Sequence, residues 1–247
     1  MYMIASVISF SIMDICVKWL DYYPIGQVLF LRFFIGFIPI FFIIPRERLF
    51  DFYKTSRPGL HAFRAICGAL AIIALFFGLR ELPLADVVSL TFGGPIFVTV
   101  ASIFFLSERV GIKRWSAVVI GFIGMLLIVQ PAFIDLNYFY ISPIIFCIFF
   151  ACVAISVRSL SKTEPNYRIA FYFTVLCTVL GLATIFQGNW VLPNKIDLAI
   201  FIIMGLCGSV ANLLLTQSYR LAEASLVTPI KYLSLVFAIV FGFLIWS

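Results

Sequence analysis

The chain has 247 residues, of which 64% are hydrophobic and only 11% charged, with six cysteines, one histidine and a formal net charge of +6. Soluble domains carry about 25% charged residues. The composition therefore excludes a soluble enzyme and describes an integral membrane protein, and the surplus positive charge sits in loops between apolar runs, which argues against a nucleic-acid partner.

Apolar runs of about 20 residues, long enough to cross a hydrocarbon layer of about 30 Å as a helix, recur along nearly the whole chain. They fall at 1 to 20, 25 to 44, 59 to 79, 83 to 106, 114 to 130, 141 to 160, 167 to 187, 196 to 219 and 222 to 246. Strand-like alternation is absent, so the expected fold is all-α: a polytopic membrane helix bundle with nine spans and no soluble domain. The first span lacks a basic n-region and a small-residue cleavage site and reads as a retained helix, with a start that is slightly trimmed as an option.

Taken in order, the first span carries Asp14 and Lys18, and the second carries Arg32. Counted in helical rises from their span ends, Asp14 and Arg32 lie near one depth, so they either pair and lock two helices or meet substrate or a coupling proton. Asp14 is also four residues before Lys18, a second partner on its own helical face and a helix-end residue. His61 and Arg64 enter the third span within two turns of its basic end, where snorkelling accounts for them. The fourth span is interrupted by Gly93-Gly94-Pro95, preceded by Thr91 and Phe92, and ends at Glu108 and Arg109. Proline removes a backbone donor, so the interruption weakens a helix that lipid cannot repair. Glu108 is expected to bond neighbouring loop donors. The ninth span carries Lys231 too deep to snorkel easily, two residues after Pro229, which frees backbone carbonyls nearby. Lys231 either pairs with Asp14, the one deep acid, or holds an anionic substrate group, with Tyr232, Thr91, Phe92 and Gly94 expected around the same cavity. The cysteines at 16, 67, 147, 152, 177 and 207 form no CxxC pair and read as small core residues, so no metal or cofactor is expected.

The cations are unevenly divided between alternate loops. Arg46, Arg48, Lys54, Arg57, Arg64, Arg109, Lys113, Arg114, Arg158, Lys162, Arg168 and Arg220 fall on one side, and Lys18, Arg80 and Lys195 on the other. The positive-inside rule then places the N-terminus in the cytoplasm. Trp19, Trp115, Trp190 and Trp246 fall at span ends or in a loop, as an interfacial belt requires.

Shifting the sequence by 140 residues lays 1 to 107 on 141 to 247 without a gap. Lys18 meets Arg158, Arg80 meets Arg220, and CGALA at 67 to 71 meets CGSVA at 207 to 211. Ala65/Ala69 then meet Gly205/Ser209, small residues four apart that allow close helix approach. Pro95 falls on Leu235 and Ser89 on Pro229, so both copies break their fourth helix, six residues out of register. Five spans per copy make the repeat inverted, with halves 1–131 and 132–247. The offset also calls for a tenth helix at 248 to 280, so we expect the chain, which stops at Ser247, to be a fragment rather than a nine-helix protein.

Residues 63 to 131 contain LPLAD at 82 to 86, Pro95, LSERV at 106 to 110, Arg114-Trp115 and GFIG at 121 to 124, and TPIKYLSLV follows at 228 to 236. In these pieces the chain resembles the bacterial EamA branch of the drug/metabolite transporter superfamily, and at the level of helices the likeness covers its whole length. The resemblance implies a ten-helix, two-repeat transporter with a central cavity in the bacterial cytoplasmic (inner) membrane. It also implies a small polar substrate, such as an amino acid, an amino-acid derivative or a nucleoside-like compound such as S-adenosylmethionine, moved in either direction. Alternating access around a midplane site suits broken helices in inverted repeats better than a channel does. Coupling to protons or to a counter-substrate, and oligomeric state, stay open. With one His and one deep acid, no intramembrane catalytic set assembles. The competing reading is a non-transporting scaffold or sensor, or an inactive fragment of a transporter.

Overall fold

The computed structural model describes residues 1–48, 51–108, 110–129, 138–234, 236–237 and 240. Arg109, Leu235, Trp246 and the ends of the fifth and ninth predicted spans lie outside the described residues.

Among the described residues the chain is helical and has no strand. The helices are α1 (Tyr2–Trp19), α2 (Ile25–Ile43), α3 (Pro58–Glu81), α4 (Leu84–Thr91), α5 (Gly94–Leu106), α6 (Ile112–Val129), α7 (Ile141–Leu160), α8 (Asn166–Ala183), α9 (Lys195–Leu221) and α10 (Ala224–Val227). Among the described residues seven helical segments, with α4 and α5 counted together, are long and apolar enough to cross a membrane. The fifth predicted span falls on α6. The ninth begins as two short turns, α10 and a 3-10 turn over Thr228–Tyr232.

Local chemistry sets several helix ends. Pro58 opens α3, where its missing N–H costs nothing. Asn194 caps α9 by accepting from the Asp197 N–H at 2.8 Å. The buried Asp197 carboxylate in turn accepts from the Tyr23 hydroxyl at 2.8 Å, tying the α1–α2 loop to the start of α9.

The main packing partners are α1 with α9, α3 with α7, and α2 with α8 and α9. Glycine makes the contacts around α2 close. A Cβ on Gly181 would lie 2.6 Å from the Phe30 backbone nitrogen, and one on Gly205 would lie 2.7 Å from the Ile35 Cβ. Ser209 donates to the Gly36 carbonyl across the same seam at 2.6 Å. Without a hydrophobic drive between helices in lipid, such backbone proximity and interhelical hydrogen bonds hold the bundle together. The outer surface is correspondingly apolar, with Phe42, Phe104 and Phe186 fully presented.

Candidate functional site

The break in the fourth span occurs between α4 and α5 and has a specific repair. Because residue 95 is proline, the Thr91 carbonyl lacks its α-helical donor, and the Cys147 thiol of α7 supplies one at 3.5 Å, shared with the Leu90 carbonyl. The helix path tightens there, with Phe92 and Gly93 N–H groups reaching back only three residues. The two glycines are not forced by crowding: a Cβ on Gly94 would meet Phe150 at an ordinary 3.5 Å.

Above this break lies a cavity of about 90 Å³ inside the bundle, lined by residues of α1, α2, α3, α4, α7, α8, α9 and the turn after Pro229. A water needs roughly 10–15 Å³ by the same kind of measure, so the space holds several. Its polar lining comprises Asp14, Arg32, Arg64, Lys231, Thr91, Asn212, Ser6 and Ser234, set among Phe10, Phe146, Phe150 and Phe173.

Of the residues singled out in the sequence, Lys231, Thr91, Asp14 and Arg32 share this cavity, whereas Phe92, Gly94 and Tyr232 stand one layer behind it. Phe92 and Tyr232 pack edge to face at 5.0 Å, and the Tyr232 hydroxyl donates to the Val118 carbonyl at 3.1 Å, which draws it towards α6 and away from the cavity. Lys231 does not pair with Asp14. Its Nζ lies 3.7 Å from the centroid of the Phe150 ring and 5.2 Å from that of Phe146, two cation–π contacts on α7. Gly94 and Lys231 thus approach the same ring, Phe150.

The Asp14–Arg32 pair, one of the two alternatives the sequence offered, is absent as well: among the described residues no ion pair within 4.0 Å involves Asp14, and its Oδ1 is buried without a hydrogen-bond partner. Arg32 is instead laid over the Phe33 ring at 4.2 Å and directs Nε to the Met13 sulfur at 3.0 Å. Equal depth in the membrane did not imply contact, because the guanidinium takes the nearer aromatic faces.

Arg64 corrects the sequence reading more sharply. It does not snorkel to the membrane surface. It is 2% exposed, stacked on Phe173 at 3.8 Å, and donates from Nη2 to the Asn212 Oδ1 at 3.0 Å. His61, one turn earlier, is likewise buried and packs on Tyr172. Gly68, four residues on, admits the Phe173 ring that carries the guanidinium, since a Cβ there would lie 2.6 Å from that ring and 3.2 Å from the Arg64 Nη1, a closeness that the sequence did not signal.

The helix-end residues behave as capping groups. Glu108 accepts from the N–H groups of Ala224 and Ser225 at 3.1 and 3.2 Å and from the Ser225 hydroxyl at 2.8 Å, so it closes the start of α10. Lys18 donates to the carbonyls of Arg80 and Leu82 at the end of α3. Arg158 donates to those of Tyr219 and Arg220 at the end of α9.

A model of the EamA-like transporter family matches residues 1–130 and again 138–247. A riboflavin transporter of Rhizobium johnstonii is 27% identical over 251 residues, covering 100% of this chain and 82% of that protein. An S-adenosylmethionine uptake transporter of Rickettsia felis is also 27% identical, covering 100% of this chain and 83% of that protein. The pseudopaline exporter CntI of Pseudomonas aeruginosa is 25% identical, with coverage of 97% and 84%. A solved crystal structure superposes with a TM-score of 0.81 at 13% identity, over 100% of this chain and 88% of the other, a likeness of fold. With its multi-pass apolar helices and the family match over both halves, the chain belongs to the EamA-like transporter family.

Proposed function

We propose that the protein is a secondary carrier that moves a small polar metabolite across the bacterial inner membrane through the cavity between α1, α3, α7 and α9. The observation that carries the reading is the cavity itself. It sets Lys231, Arg32, Arg64 and Asp14 within an apolar bundle, where each uncompensated charge costs about 2.5–3.5 kcal/mol on insertion scales. Such groups persist where a solute meets them. Thr91, at the broken helix, lines the same cavity.

Alternating access between two inverted repeats, 1–131 and 132–247, is supported by a correspondence of contacts. Under the 140-residue shift α1 becomes α7 and α3 becomes α9, so the pair α1–α9 exchanges with α7–α3. Lys18 capping α3 exchanges with Arg158 capping α9 in the same way. The N-terminus is assigned to the cytoplasm by the uneven division of Lys and Arg. Polar ties close both ends of the bundle, at Glu108 and Glu164 on the basic side and at Tyr23–Asp197 and Gln27–Val191 on the other. In this reading one set opens while the other holds.

The test is solute counterflow in liposomes with a panel of amino acids, their derivatives and nucleoside-like compounds. Lys231→Met is expected to keep the folded protein in the membrane and to reduce exchange by tenfold or more, since a hydrogen bond to a charged group is worth roughly 1.5–3 kcal/mol. Wild-type exchange by Lys231→Met would remove Lys231 from the site. Binding without any exchange would favour a sensor.

A further inference from the structure

The cavity carries a more specific statement about what it takes, which rests on reading it as the transport site. Arg32 and Arg64 are 3% and 2% exposed. Guanidinium groups do not lose their proton in proteins, so both enter the bundle as cations. Each places its Cζ over an aromatic ring, Arg32 over Phe33 at 4.2 Å and Arg64 over Phe173 at 3.8 Å, and these two rings meet edge to face at 5.0 Å. A ring contact of this kind uses no N–H as a hydrogen-bond donor to oxygen or nitrogen. Arg32 Nη1 and Arg64 Nε and Nη1 are buried with no hydrogen-bond partner.

Space has been made for both groups. A Cβ on Gly68 would lie 2.6 Å from the Phe173 ring and 3.2 Å from the Arg64 Nη1 above it, and a Cβ on Gly208 would lie 3.0 Å from both Arg32 Nε and the Met13 sulfur. Gly68 and Gly208 are the two glycines that the 140-residue shift superposes. The arginines themselves are not superposed, since Arg32 falls on Tyr172 and Arg64 on Met204. Equivalent notches in the two halves thus serve two guanidiniums from different helices, directly for Arg32 at Gly208 and through the Phe173 ring that carries Arg64 at Gly68.

The charge balance is one-sided. Arg32, Arg64 and Lys231 face the cavity against one lining carboxylate, Asp14, which is within 4.0 Å of none of them among the described residues. Buried charge of one sign needs a counter-charge, and planar guanidinium donors match oxyanions two bonds at a time. We propose that Arg32 and Arg64 form a clamp for an organic anion with two negative charges, borne by two carboxylates or one phosphate monoester, with Lys231 facing it across the cavity.

The experiment uses the whole chain, purified and reconstituted, with succinate, glycerol phosphate, alanine and S-adenosylmethionine as probes for thermal stabilisation and counterflow. The expected result is stabilisation and exchange by one or both dianions, at least about tenfold stronger than by the zwitterion or the cation. Succinate alone would assign carboxylates to the clamp, and glycerol phosphate alone a phosphate. Arg64→Gln and Gly208→Ala, the second of which displaces Arg32 without removing its charge, are each expected to weaken the dianion response by a similar factor. Arg64→Lys is expected to restore part of it. Melting without solute checks that each variant folds. Alanine or S-adenosylmethionine exchanging while the dianions do not would overturn the clamp and leave the carrier standing. Exchange and stabilisation by none of a wide solute panel would overturn both.

Discussion

Glu164 joins three elements through one carboxylate. It is 2% exposed in the loop between α7 and α8, accepts from the Thr55 hydroxyl at 2.7 Å, receives the Ser56 N–H and pairs with Arg168. Burial alone would raise its pKa, but the Arg168 guanidinium and the Thr55 and Ser56 donors outweigh that and hold it below its ordinary value of 4.5. A depressed carboxylate stabilises the folded state fully above its unfolded pKa and loses that contribution as pH falls through the folded one. The melting temperature in detergent is therefore expected to hold down to about pH 4.5 and to fall below it. Glu164→Gln should flatten that decline and cost about 1–3 kcal/mol at neutral pH. Single residues were the least legible part of the sequence. Lys231 stood out because any lysine at that depth is costly, whereas Arg64 was misread because distance from a span end fixes depth and not the face of the helix. Asp14 and Arg32 were matched by depth for the same reason, and the structure turns Arg32 to Phe33 and Met13 while leaving the Asp14 Oδ1 without a hydrogen-bond partner.

The broken fourth span shows what a helix-level reading can and cannot supply. Pro95 announced a freed carbonyl, but its new partner, Cys147, lies 56 residues from Thr91 on another helix, and nothing local distinguishes that cysteine from the other five. Cys147→Val is expected to leave the Thr91 carbonyl unpaired in an apolar setting and to lower stability by about 1–3 kcal/mol. Cys147→Ser keeps a donor there and should cost less than the valine does. Thermal melting of the two variants side by side checks the order, and equal losses would dismiss the bond. Several other elements follow their apolar runs closely: the third predicted span, 59 to 79, becomes Pro58–Glu81, and the sixth, 141 to 160, becomes Ile141–Leu160. A helix in hydrocarbon must satisfy its own backbone, so composition over some 20 residues is enough to find it.

Across the bundle, the contacts at Lys18 and Arg158 belong to separate helix pairs and share no partner. A cation at helix C-terminal carbonyls contributes about 0.3–1 kcal/mol. Lys18→Met and Arg158→Met are each expected to cost about that much, and the double variant the sum, as independent sites do. A loss well short of the sum would mean that the two ends communicate, which a carrier that opens one end at a time would also produce when solute is bound. Measuring the cycle with and without a transported solute separates the two cases.

The amino-acid sequence by itself determined the membrane class, the helical runs, the uneven placement of cations and the positions of the helix breaks, since each depends on composition or chemistry within one segment. The match of CGALA at 67 to 71 with CGSVA at 207 to 211 was also visible there, but only as a sign of the repeat. Tertiary structure alone decided that Gly208 makes room for the Arg32 guanidinium and Gly68 for the Phe173 ring beneath Arg64, that Arg64 turns inward, that the Asp14 Oδ1 has no hydrogen-bond partner, and that Arg32, Arg64 and Lys231 face one cavity. The rotation of each helix about its axis is set by neighbours distant in the chain, and those neighbours bring the three charges together.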